Sequence, residues 1–178
     1  ECPIDSLIFD DINHTLRDSV TSVGAYQVTA VNNNITPFTL TSPTPASIIG
    51  ATTPVTVSVL NVGLNSVTSF RVDWSVNGVA QTPYTWTGSL APIDSVNINL
   101  GSFVPIRDSN KIVAITSLPN GLADGVPMND TLHFYSNGCD SLLNGNYIVH
   151  DNNELNRIMD KLYHCGIHGP VTIQLANG

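Results

Sequence analysis

The sequence predicts an all-β chain: a sandwich of two sheets, with one short C-terminal helix and extra terminal strands. Three observations lead there. Charged residues make up only 11% of the 178 residues, less than half the usual share of about 25%. Thr, Ser, Asn, Val and Gly take their place, a mixture that suits exposed strands and tight turns better than amphipathic helices. From 51 to 136, short segments of period-two alternation follow one another. Six or seven such strands bury their apolar faces best as two sheets laid face to face.

Residues 1–41 read as a strand segment and linker. Ser6 to Phe9 and Gly24 to Val31 are candidate strands, Asn32-Asn33-Asn34 is a turn, and Ser42-Pro43-Thr44-Pro45 is a stiff linker into the sandwich. The sandwich itself is expected over 42–137. Val55 to Leu60 is a β-branched run, and Asn61 to Asn65 turns the chain. Val67 to Val76 alternates, with Phe70, Val72, Trp74 and Val76 on one face. Asn77-Gly78 is a strong hairpin signal, and Val79 to Trp86 is its returning strand. Gly88 and Pro92 punctuate; Ser95 to Leu100, Lys111 to Ser117 and Thr131 to Tyr135 complete the series. Trp74 sits where a sandwich core wants a large aromatic, which makes the expected fold immunoglobulin-like or fibronectin-like.

Residues 138–178 change period. Leu155, Ile158, Met159 and Leu162 recur at i, i+3, i+4 and i+7, the stripe of a one-sided helix. Asp151 or Asn152 can cap it, Glu154 favours its dipole, and Gly166 ends it. Pro170 to Leu175 is a strand, and Asn177-Gly178 a turn.

The formal net charge is −8, with six Lys and Arg in all. Phosphate backbones need clusters of such residues, so nucleic acid is set aside as a partner, and anionic membrane surfaces with it. No apolar run approaches the roughly 18 residues of a membrane span. The opening Glu1-Cys2-Pro3 lacks an initiator Met, which reads as a processed or excised piece whose export signal lies elsewhere. Three cysteines match no zinc template. Two readings stay open: a Cys139–Cys165 disulfide with Cys2 paired outside this chain, or three free buried thiols. An oxidising compartment favours the first.

Several blocks carry a family resemblance: Pro54-Val55-Thr56-Val57 followed by Asn61-Val62-Gly63, Trp74-Ser75-Val76-Asn77-Gly78, Trp86 to Pro92, and Pro119-Asn120-Gly121 through Asp124-Gly125 to Asn129-Asp130-Thr131. Together they cover about half of the chain. They resemble the CARDB-like and Ig-like adhesion modules of surface and secreted proteins of the Bacteroidota. Leu143 to Val149, the helix at 153–164 and Cys165 to Thr172 look like the start of a right-handed parallel β-helix. Asp11-Ile12-Asn13, Arg17-Asp18 and Val23 to Tyr26 look like the exit from one. The resemblance implies a junction between repeat domains and a role in surface architecture or adhesion.

Asp followed by Ser or Thr and an aliphatic residue occurs five times, at Ser6, Ser19, Ser95, Thr131 and Ser141, where about one would be expected from ordinary residue usage. The pattern resembles the O-glycosylation motif of exported Bacteroidota proteins. The plainer reading is that Asp-Ser and Asp-Thr are common turn and cap pairs. Asn13-His14-Thr15 and Asn129-Asp130-Thr131 also fit the N-glycan acceptor pattern.

Catalytic chemistry finds little support. Glu occurs only at Glu1 and Glu154, the Asp residues fall mostly in turns, and no Gly-x-Ser-x-Gly motif is present. Zinc at His164, Cys165 and His168 lacks a fourth ligand. Calcium has better candidates in two oxygen-rich loops: Asp10, Asp11 and Asn13, and Asp124, Asn129 and Asp130. Trp74 and Trp86 are expected in the core rather than as a sugar-stacking platform. The expected function is therefore a non-enzymatic structural or adhesion module of an extracellular bacterial surface protein or filament. Its partners would be neighbouring copies or domains of the same assembly, and glycans. The alternative is an accessory carbohydrate-binding or spacer module of a secreted polysaccharide-degrading enzyme.

Overall fold

The structure, a computed structural model, describes residues 31–176, which hold eleven strands, one α-helix and two short 3-10 turns. The first sheet has three antiparallel strands in the order β1–β3–β7, with β1 at Ile35–Ser42, β3 at Thr53–Asn61 and β7 at Ser95–Phe103. The second runs β2–β9–β8–β4–β5. Here β2 is Ala46–Ile48, β9 Thr131–Cys139, β8 Asp108–Ser117, β4 Val67–Val76 and β5 Val79–Ala80. Strand β6, Tyr84–Leu90, pairs with the same edge of β4 as β5 does. From Asn32 onward the described residues form one compact unit.

The alternation read from Val67 to Val76 is the one that builds the core. Phe70, Val72, Trp74 and Val76 all turn inward from β4 and meet Val55, Val57 and Val59 of β3 and Ile98, Leu100 and Phe103 of β7. Ile112 and Ala114 of β8 close the layer. Each fully buried aliphatic or aromatic side chain contributes about 1.5–3 kcal/mol over its exposed state. A core of this size therefore suffices to hold two sheets together. Trp86 stacks on Phe70 with ring centroids 4.9 Å apart. Its indole folds back over Gly88, where a Cβ would come within 2.5 Å of the ring.

Asn77 and Gly78 make the tight turn from β4 to β5, with φ of 50° and 81°, the doubly positive geometry that Asn-Gly favours. The returning strand, expected as one piece over Val79 to Trp86, is broken in two. Pro83 has no N–H for the ladder, and the Thr82 carbonyl is taken by the Trp74 indole N–H at 2.9 Å.

The sandwich also begins earlier than residue 42. Residues 35–41, expected in the preceding linker, form β1 with Ile35 and Leu40 buried in the core. Pro37 masks this strand in the sequence, but β1 is an edge strand, where Pro is tolerated. Ser42 to Pro45 is not an interdomain linker: it carries the chain from β1 in one sheet to β2 in the other. At the far end β9 continues through Gly138 and Cys139, past the expected limit of 137. Gly138 lets two backbones touch, since a Cβ there would lie 1.8 Å from the Ile106 carbonyl oxygen.

Beyond the sandwich, β10 (Leu143–Val149), α1 (Asn152–Cys165) and β11 (Ile167–Leu175) form a βαβ unit whose two strands are parallel. Ile158, Leu155 and Leu162 of α1 close onto Leu143, Val149, Tyr147, Val171 and Ile173, a small second core. Asp151 caps the helix by accepting the Glu154 N–H at 2.8 Å, and Glu154 reaches back to the His150 N–H at 2.8 Å, an arrangement close to a capping box. These hydrogen bonds to His150 hold the Glu154 carboxyl below its ordinary range. Gly166 follows the helix and its N–H returns to the Leu162 carbonyl. The candidate strands at Ser6 to Phe9 and Gly24 to Val31 fall almost wholly outside the described residues.

Candidate functional site

Two places gather polar chemistry. The first is the corner where the loop after β8 meets the start of β1. Asp124 Oδ2 accepts the Ile35 N–H at 2.9 Å and Oδ1 accepts the Val126 N–H at 2.8 Å. Both oxygens are thus engaged by backbone, and Asp124 holds the edge strand in place. Asp130 lies beside it, 8% exposed. Burial first, and then the neighbouring Asp124 charge, push its carboxyl up to about 6. With its amide nitrogen turned toward the Val126 carbonyl at 2.7 Å, Asn129 also donates to Asp130 Oδ1 at 3.2 Å. The Asp130 carbonyl accepts the Thr116 N–H at 2.9 Å.

The structure therefore brings Asp124, Asn129 and Asp130 together, as the calcium reading requires, but spends their oxygens largely on protein donors. Among the described residues no group of three or more His, Cys, Asp or Glu side chains is placed to hold a metal ion. Asp10, Asp11 and Asn13 lie outside the described residues.

The second place is the junction between the sandwich and α1. Cys139, the last residue of β9, is bonded to Cys165, the last residue of α1, with Cα atoms 5.8 Å apart. Cys165 is therefore not a thiolate, and the zinc grouping with His164 and His168 loses its sulfur ligand. Cys2 lies outside the described residues. Above the disulfide opens a cleft of about 550 Å³ lined by Arg107, Tyr147, Arg157, Lys161 and His164, with Asp140 and Asp160 at its walls. Arg107 grips the Asp140 carboxylate in a two-pronged pair at 2.8 and 3.0 Å. Sequence reading missed this cluster. Its one local signal is the i, i+4, i+7 spacing of Arg157, Lys161 and His164, which puts three basic groups on one side of α1.

The candidate glycosylation hydroxyls that the structure describes are Ser95, Thr131 and Ser141, and all three are exposed. Ser95 and Thr131 open β7 and β9, while Ser141 lies between β9 and β10 and accepts a hydrogen bond from Lys161 Nζ at 2.6 Å. Ser6 and Ser19 lie outside the described residues. Trp74 is buried and Trp86 is packed on the core, so neither supplies an open stacking platform. No helix among the described residues is long and apolar enough to cross a membrane.

The arrangement is that of a two-sheet β-sandwich carrying a disulfide-tied βαβ appendage. Solved structures of similar fold include a CARDB domain. The CARDB domain of a Pyrococcus furiosus protein, solved in complex with di-metal ions, has a TM-score of 0.51 at 19% identity, covering 64% of this chain and 95% of that domain. Its solution structure gives 0.50 at 20% identity, covering 62% and 99%. A domain of a Methanosarcina acetivorans protein described as a cell-surface protein gives 0.53 at 21% identity, covering 62% of this chain and 96% of that domain. No protein-family model matches the chain, and no curated protein matches it either.

Proposed function

We propose that this chain is a non-enzymatic structural or adhesive module of an extracellular surface protein or filament. The observation that carries the reading is the sandwich itself, which shares its fold with a domain of a protein described as lying at the cell surface. Two further features support it. The Cys139–Cys165 disulfide suits an oxidising exterior. Ser95, Thr131 and Ser141 present their hydroxyls where a bulky modification meets no core. In this reading those three residues carry O-glycans. The parallel pair β10–β11 begins a further parallel-stranded domain, and neighbouring domains or copies are its partners.

The test is mass spectrometry of the native protein, mapped peptide by peptide before and after reduction, with antibody labelling of intact, unpermeabilised cells. Surface labelling, an oxidised Cys139–Cys165 pair and hexose-bearing peptides at Ser95, Thr131 or Ser141 are expected. Labelling only after permeabilisation, with both thiols reduced, overturns the reading. Bare peptides on a surface-labelled protein remove the glycans alone.

A further inference from the structure

We propose that the cleft between α1 and the end of the sandwich binds a carboxylated sugar of the hexuronate class, with Arg157 and Lys161 meeting the carboxylate and Tyr147 offering its ring to the pyranose face. This deepens the adhesive reading by giving it a ligand. It rests on that reading only for the setting in which the sugar is met.

The argument starts from charge. The chain has six Lys and Arg residues and a formal net charge of −8, yet Arg107, Arg157 and Lys161 line one cleft together with His164. Of the carboxylates there, Asp140 is held by Arg107 through two hydrogen bonds, and Asp160, whose Oδ1 lies 3.2 Å from His164 Nδ1, stays largely exposed. Among the described residues Arg157 makes no ion pair, and Lys161 reaches only the neutral Ser141 hydroxyl. Two permanent cations thus line the same space, each without an ion-pair partner among the described residues. They stand four residues apart on one helix, where like charges destabilise the helix.

Cations near a helix C-terminus favour its dipole, which accounts for His164, the one basic residue in the last turn of α1. It does not account for Arg157, nor for Arg107, which comes from the connection between β7 and β8. An anion bound in the cleft accounts for Arg157 and Lys161, while Arg107 is already matched by Asp140. The Arg107–Asp140 pair shows the geometry at work on the same wall, since a guanidinium fork matches a planar carboxylate.

The volume and the ring narrow the ligand. A cleft of about 550 Å³ falls within the range of small-molecule sites, which runs from about 300 to 1,000 Å³, and is too small for a docked helix or domain. Tyr147 is half-buried, and its hydroxyl is tied at both ends to the Asn144 backbone, at 3.1 and 3.3 Å. The ring therefore stands in a fixed orientation at the cleft, an apolar body with a polar tip. A fixed aromatic face beside unpaired cations suits a ring with an apolar side and a carboxylate. The floor is the Cys139–Cys165 disulfide, so the two walls are covalently held at their spacing.

The test is a two-dimensional amide NMR titration of the full, unglycosylated chain with digalacturonate at low salt. The comparison arms are neutral digalactose, acetate and a short Glu-rich peptide. Digalacturonate is expected to give saturable shifts at Tyr147, Arg157, Lys161 and His164, weakened at least tenfold in the Arg157→Gln, Lys161→Gln double variant while the rest of the spectrum stays unchanged. A Tyr147→Leu variant should keep its fold and lose several-fold in affinity. Absence of saturation, or shifts confined to other surfaces, overturns the site. Equal response to digalactose removes the role of charge, and equal or tighter response to acetate or the peptide removes the sugar; either overturns the proposal. A negative titration with surface labelling intact leaves the adhesive reading standing, so the two failures are distinguishable.

Discussion

Replacing Asp130 by Asn should stabilise the protein at high pH and do little at low pH. The carboxyl is 8% exposed, and burial and Asp124 push it up to about 6, whereas an unfolded Asp titrates near 3.9. A raised carboxyl pKa means that the folded state binds the proton more tightly than the unfolded chain. The stability this proton contributes is fully present below about pH 4 and is lost as pH rises through about 6. A difference of roughly two pH units corresponds to about 3 kcal/mol. An amide in place of the carboxyl carries no charge and escapes that penalty. Relative to wild type, Asp130→Asn should therefore gain up to about 3 kcal/mol at pH 8, with the gain shrinking toward zero at pH 4. Urea unfolding at half-unit pH steps, with m-values checked for constancy, measures the difference directly. Asp124→Asn should move the midpoint of wild-type pH dependence downward, because it removes the neighbouring negative charge. A difference between wild type and Asp130→Asn that is flat across pH 4–8, or that grows toward low pH, would refute the reasoning.

Two further outcomes are expected. Opening the Cys139–Cys165 bond, by reduction or by paired Ala substitutions, releases a loop closed across a sequence separation of 26; the chain-entropy account puts the loss at about 3.5 kcal/mol. Hydrogen exchange should show α1 amides losing protection while β3 and β8 keep theirs; equal loss in both would place the disulfide's contribution in the whole fold instead. Asn110→Ala should cost about 2–4 kcal/mol by urea unfolding, because a fully buried amide then abandons the Ile106 and Ser136 carbonyls and the Ile106 N–H. The exposed Asn156→Ala serves as its control and should change stability by less than about 0.5 kcal/mol.

What the sequence makes legible is what local periodicity controls. Val67 to Val76 and the helix stripe from Leu155 to Leu162 each announce their buried face. Asn77-Gly78 and the Asp151–Glu154 cap announce their turns, since each signal needs only neighbours a few residues away. The misread elements depend on distant partners. Strand β1 looks like a linker because of Pro37 and becomes a strand only beside β3. Asn61 reads as a turn residue, yet it is fully buried, as is Asn110. Asn61 donates to the Asn65 and Leu90 carbonyls and accepts the Gly63 N–H. Local propensity assigns Asn to the surface, and only the tertiary fold supplies the carbonyls that make burial tolerable. The basic cleft is invisible for the same reason: Arg107 and Arg157 are fifty positions apart in the chain and meet only because β9 ends against α1. Three cysteines leave two readings open in the sequence, and the bonded pair is the one that joins those two elements.

That bond also decides how the protein would respond to being stretched. A chain pulled lengthwise extends first where no covalent link bypasses it. Tension passing from β9 toward β11 would ordinarily draw out the connection between them, including β10 and α1. Here it crosses instead from Cys139 directly to Cys165. The intervening stretch, on the order of 90 Å when fully extended, stays slack and folded for as long as the covalent shortcut holds. The appendage would thus behave as a stiff link under oxidising conditions and as an extensible one after reduction.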